Sequence, residues 1–166
     1  ADKKISEVFS NPDYDATSMH LSRKRNYEID YFGYDGEKSE IIPVSKTYKD
    51  LDSRVKKQFP GKEYGVTGYD DDEKTFLIVL QSDKLYGTYY QYNTTTGKFK
   101  LLYDLMPQLK EADMAIMKPI TFKSRDGLTI HGYITLPKEA LAGKKVPMIV
   151  NPHGGPQGVR DSWGFN

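Results

Sequence analysis

The chain has 166 residues, with 24 basic and 23 acidic side chains for a formal net charge of +1, and no cysteine. That length suits one ordinary domain or parts of two. The balanced charge gives no electrostatic reason to expect a nucleic-acid or membrane-surface partner, and the missing thiols exclude disulfides and thiolate metal sites. A hydrophobic fraction of 37% with 13% aromatics, including 13 tyrosines, favours a folded β-rich protein over a disordered one. No apolar stretch approaches the roughly 18 residues needed to cross a bilayer. The start, Ala1-Asp2-Lys3-Lys4, has no apolar core of the signal-peptide kind. Cytoplasm and periplasm or secretion fit equally, so the compartment stays open.

Residues 1–17 are polar, with a turn at Asn11-Pro12-Asp13. From Met19 the pattern turns strand-like, and Tyr27-Glu28-Ile29-Asp30-Tyr31 alternates apolar and polar side chains at the period of a strand with one buried face. Asp35-Gly36 is a hairpin turn signal, and Glu40 to Val44 is the return strand. Leu51, Val55 and Phe59 then recur at the spacing of one helical face, with Ser45 or Thr47 as caps and Pro60-Gly61 as the stop. The helix is short and reads as a connector.

Four strand patterns follow with short connections, at 64–69, 75–80, 87–92 and 98–103, separated by turn formers at Asp70–Glu73 and Thr94–Gly97. Together they predict an antiparallel meander. Such a meander forms one blade of a β-propeller and equally part of a sandwich or barrel, and periodicity does not choose between them. The segment from Leu105 mixes apolar and charged residues and reads as a linker. Two strand patterns flank Arg125-Asp126-Gly127, predicting a second Asp-Gly hairpin closed by Pro137. Lys138 to Lys145 is a polar excursion, and Val146 to Asn151 is an apolar run that predicts a buried strand.

That run enters His153-Gly154-Gly155-Pro156. Paired glycines lack the β-carbons that would hold a substrate away from backbone N–H groups, and the flanking prolines stiffen the loop. This is material for an oxyanion hole, for which α/β-hydrolases take one N–H from a Gly-rich loop and the other from the residue after the nucleophile. The plain alternative is a tight turn. His153 has its own plain reading as a structural histidine bonded to its loop.

The run Ile120 to Pro137, then Pro147 to Pro156, then Arg160 to Phe165, in that order, resembles the start of the hydrolase domain of prolyl-oligopeptidase-superfamily serine peptidases. The likeness is nearest to the acylaminoacyl-peptidase and dipeptidyl-peptidase-like branches. Ser82-Asp83, Gly87 to Tyr90 and Leu101 to Tyr103 are similar, more weakly, to the last propeller blade of those enzymes. The resemblance implies a mainly β fold: a four-stranded antiparallel meander as the last propeller blade, then the first strands of an α/β-hydrolase domain. It divides the chain into 1–104 as the C-terminal part of a propeller, 105–117 as linker and 118–166 as the truncated start of the peptidase domain.

The activity implied is hydrolysis of short peptides through an acyl-serine intermediate, without a cofactor, and with a peptide substrate as partner of the full-length protein. Gly155 would supply an oxyanion N–H, and His153 and Gly154 would position the loop. No Gly-x-Ser-x-Gly occurs in the sequence, so the Ser, Asp and His of the triad are expected beyond Asn166 and the chain alone is expected to be inactive. Open strand edges and apolar faces then predict self-association. A local triad from His153, Asp161 and Ser162 is the weaker reading, because sequence spacing carries no geometry. His20, His131 and His153 lie far apart with no ligand-pair spacing, and Asp70–Glu73 lacks the pattern of a calcium loop, so no metal is expected. Two readings compete with the peptidase: a non-catalytic β-rich binding module, and a lipase or esterase sharing the same oxyanion chemistry.

Overall fold

The computed structural model describes residues 4–165. Three antiparallel sheets follow one another along the chain. The first has three strands in the order β1 (Ala16–Leu21), β2 (Ile29–Asp35) and β3 (Ser39–Pro43). A helix, α1 (Lys46–Gln58), leads to a four-stranded meander of β4 (Glu63–Tyr69), β5 (Thr75–Gln81), β6 (Thr88–Asn93) and β7 (Lys98–Asp104). A single 3-10 turn at Glu111–Asp113 precedes the hairpin of β8 (Ile116–Lys123) and β9 (Thr129–Leu136), followed by the one-turn helix α2 (Lys138–Leu141). The mainly β architecture and the meander agree with the sequence reading.

The strand β2 starts later than alternation alone suggests. Asn26 and Tyr27 sit at positive φ, in a loop closed by Ser22 N–H donating to the Glu28 carbonyl at 2.9 Å and Tyr27 N–H donating to the Ser22 carbonyl at 2.9 Å. The tight loop turns Arg25 inward. Its guanidinium bridges two buried carboxylates, Asp30 of β2 and Glu73 of the β4–β5 turn, the latter at 2.7 Å. Ser22 Oγ donates to Glu73 at 2.5 Å, and Ser45 Oγ donates to Asp30 at 2.6 Å. Buried carboxylates persist only when paired and hydrogen-bonded, so this network requires the first sheet, the helix start and the meander to meet in one arrangement.

The helix is no connector. Ser45 caps it by accepting from Tyr48 N–H at 3.2 Å, and Tyr48, Leu51 and Val55 on one face have no exposed surface. They pack on Phe76, Ile78 and Leu80, the inward-facing alternate residues of β5, and on Tyr92 of β6. Phe59 closes the far end against Tyr90 and Phe99, with ring centroids 4.9 and 5.2 Å apart. At roughly 1.5–3 kcal/mol for each large apolar side chain fully buried, this cluster is the main hydrophobic store of the fold. The length of a helix does not determine which surface it covers.

Two further boundaries move. The strand β8 begins at Ile116, where Asp83 accepts from the Met117 N–H at 2.9 Å. Val146 to Asn151, expected as a buried strand, has no regular structure, and Ile149 is 91% exposed. An apolar strand is stable only with neighbours to take its backbone groups and cover its side chains. No described strand lies beside this run.

Candidate functional site

The β8–β9 hairpin is in full register, from Ile116 opposite Leu136 to Lys123 opposite Thr129. Its turn closes with Ser124 N–H donating to the Leu128 carbonyl at 3.0 Å, and Gly127 takes the φ of +86° that the turn requires. After Pro137 and α2, residues 145–160 run exposed, without regular structure. The chain is then caught again. Trp163 is buried and its Nε1–H donates to the Met117 carbonyl at 2.9 Å, while the Lys38 ammonium lies 3.5 Å from the ring centroid. Phe165 meets Tyr86 edge-on, with centroids 5.7 Å apart.

Between the two anchors sits the glycine loop. Gly154 and Gly155 are exposed, neither has positive φ, and the Gly155-Pro156 peptide is cis. A β-carbon built on Gly154 meets nothing within 4 Å, and one on Gly155 comes no nearer than 3.9 Å to the Gln157 nitrogen. Neither backbone conformation nor packing among the described residues therefore calls for glycine at either position.

His153 and Asp161 come together: Nδ1 and Oδ2 are 2.9 Å apart, with both side chains roughly half exposed. Among the described residues, no hydrogen bond joins Ser162 to this pair. The pair faces a cavity of about 350 Å³, which Arg160, His131 and Tyr133 also line. Arg160 Nη2 donates to the Gly36 carbonyl at 2.7 Å, and Tyr133 Oη donates to the Glu37 carbonyl at 2.7 Å. Burial raises the Tyr133 phenol, which the nearby Arg160 charge partly offsets. The turn between β2 and β3 thus forms one wall.

His131 and His153 share the cavity despite their separation in sequence, whereas His20 lies elsewhere, bonded to Asp30 at 3.1 Å. No group of three or more His, Asp or Glu side chains among the described residues is arranged to hold a metal ion. Asp70 caps its own turn, accepting from Lys74 and Thr75 N–H groups at 2.8 and 3.0 Å. Sequence reading missed the roles of Arg160 and Tyr133. For Arg160 the usable signal was its place beside Asp161 and Trp163; for Tyr133 there was none. No helix among the described residues is long and apolar enough to cross a membrane.

No family model matches the chain. Two curated proteins do. Dipeptidyl aminopeptidase BIII of Pseudoxanthomonas mexicana is 33% identical over 100 residues, covering 57% of this chain and 14% of that protein. Dipeptidyl peptidase family member 6 of Caenorhabditis elegans is 27% identical over 150 residues, covering 78% of this chain and 20% of that protein. The chain therefore spans a fifth or less of the length of these relatives. A solved prolyl endopeptidase structure matches with a TM-score of 0.53 at 17% identity, over 80% of this chain and 19% of the other. The chain is thus similar in sequence to two dipeptidyl peptidases and in fold to a prolyl endopeptidase, which supports its resemblance to peptidases of the prolyl oligopeptidase family.

Proposed function

We propose that residues 118–166 open the catalytic domain of a serine peptidase acting on short peptides, and that Gly155 N–H is one of its two oxyanion donors. Residues 1–104 are then the C-terminal part of a propeller, and 105–117 link the two. In this reading a serine outside residues 1–166 attacks the scissile carbonyl, and the oxygen gains negative charge as the carbon becomes tetrahedral. The Gly155 amide donates to that oxygen, and a preorganised donor of this kind is worth about a hundredfold or more in kcat. His153 and Gly154 hold the donor in place.

One observation carries the reading: two adjacent glycines stand where, among the described residues, nothing excludes a β-carbon and no left-handed φ demands glycine. Room for an approaching substrate backbone is a reason for glycine that fits both positions. The relatives' dipeptidyl peptidase names agree with a peptide substrate.

The test uses a fluorophosphonate probe on the full-length protein and on residues 1–166. The full-length protein is expected to label at one serine and the shorter chain not at all. Gly155→Ala is expected to leave the unfolding midpoint unchanged while slowing labelling about tenfold or more. Labelling of residues 1–166, or normal labelling of the Gly155→Ala protein, would sink the proposal. Turnover of aryl esters without any turnover of dipeptidyl amides would move it to an esterase.

A further inference from the structure

We infer that Asp161 is a positioning residue for the glycine loop and acts through His153. Among the described residues, no backbone–backbone hydrogen bond involves residues 145–165, so main-chain pairing does not hold the loop. Among the described residues, the His153–Asp161 bond at 2.9 Å is the hydrogen bond that ties the glycine loop to a side chain outside it. Asp161 is able to serve as an anchor because both of its flanks are tied. Arg160 on one side donates to the Gly36 carbonyl at 2.7 Å. Trp163 on the other is buried, donates to the Met117 carbonyl at 2.9 Å and carries Lys38 on its ring.

A carboxylate only accepts, so the bond requires a proton on Nδ1 of His153 and, in the neutral ring, leaves Nε2 as an acceptor. Asp161 thereby selects the tautomer and the ring plane of a side chain whose own backbone leads directly into Gly154 and Gly155. A donor that must meet a developing charge loses effect when its direction wanders by a fraction of an ångström. The pair also spans two regions of the fold: through Arg160, its setting depends on the β2–β3 turn of the first sheet.

This inference rests on the peptidase reading for its effect on rate, whereas the tautomer does not depend on it. In the full-length protein, Asp161→Ala is expected to lower kinact for fluorophosphonate labelling about tenfold or more and to leave KI within about twofold. Asp161→Asn, whose amide oxygen still accepts from Nδ1–H, is expected to recover most of the rate. The double variant with His153→Ala is expected to lose no more than His153→Ala alone, because the two act as one unit. Losses that multiply in the double variant, or an unchanged kinact for Asp161→Ala, would overturn the assignment. If the wild-type protein does not label at all, the peptidase reading fails and ¹⁵N NMR of His153 decides the anchor. Loss of the Nδ1–H tautomer in Asp161→Ala supports it, and an unchanged tautomer refutes it.

Discussion

Glu63, at the start of β4, carries a buried oxygen with no partner, and burial pushes its carboxyl up to about 7 from the ordinary 4.5, against the pull of the Lys38 charge and a Ser39 amide. The folded state therefore prefers the protonated acid. Its contribution is complete below pH 4.5 and is lost as pH rises through about 7. Glu63→Gln is expected to raise the urea midpoint at pH 8 and to match wild type near pH 4; an equal gain at both would refute this. Glu73 has the opposite sign. Burial works against its ionised form, but the Ser22 hydroxyl, the amides of Lys24 and Arg23 and the Arg25 charge together hold it below the ordinary value. Its stabilisation is present at neutral pH and fades as pH falls through that lowered value. Replacing Arg25 by Met removes the cation shared by two buried carboxylates, and the expected loss in chemical denaturation is about 3 kcal/mol at pH 7, shrinking in acid as Glu73 protonates.

At the level of elements, α1 supplies the surface on which the meander closes. Leu51→Ala removes a side chain with no exposed surface and is expected to cost about 2–5 kcal/mol in chemical denaturation. Ser45→Ala removes both the helix cap and a bond to Asp30, with an expected loss of about 1–2 kcal/mol. A loss below half a kcal/mol in either variant would show that the helix is peripheral after all. The helix itself was plain in the sequence, because the spacing of Leu51, Val55 and Phe59 and the stop at Pro60-Gly61 are local features. Its central place was not, since the partners Phe76, Ile78, Leu80 and Tyr92 come from strands further along the chain. The glycine loop shows the same division. His153, Gly154 and Gly155 stood out by residue type, whereas Asp161 gained its role only when the fold brought it within 2.9 Å of His153.

For the whole molecule, the exposed apolar run of Met148, Ile149 and Val150 and the outward Leu101, Leu102 and Tyr103 of the edge strand β7 are surfaces that water disfavours. We predict that residues 1–166 associate with copies of themselves in solution. Light scattering should give a mass that rises with concentration. Met148→Lys combined with Ile149→Lys should move it toward that of a monomer. Equal masses for the double variant and wild type would show that the run is not the adhesive surface.

What the sequence by itself determined was everything with a short-range cause: the meander, both Asp-Gly hairpins, the helix and the glycine loop, each written in periodicity or in residues that permit particular backbone angles. The tertiary structure alone decided which pieces meet. It turned Arg25 inward between Asp30 and Glu73, set α1 at the core, and placed Val146 to Asn151 outside the described sheets. Strand formation and ion pairing depend on partners remote in the chain, and a local pattern states only that a segment is ready to accept them.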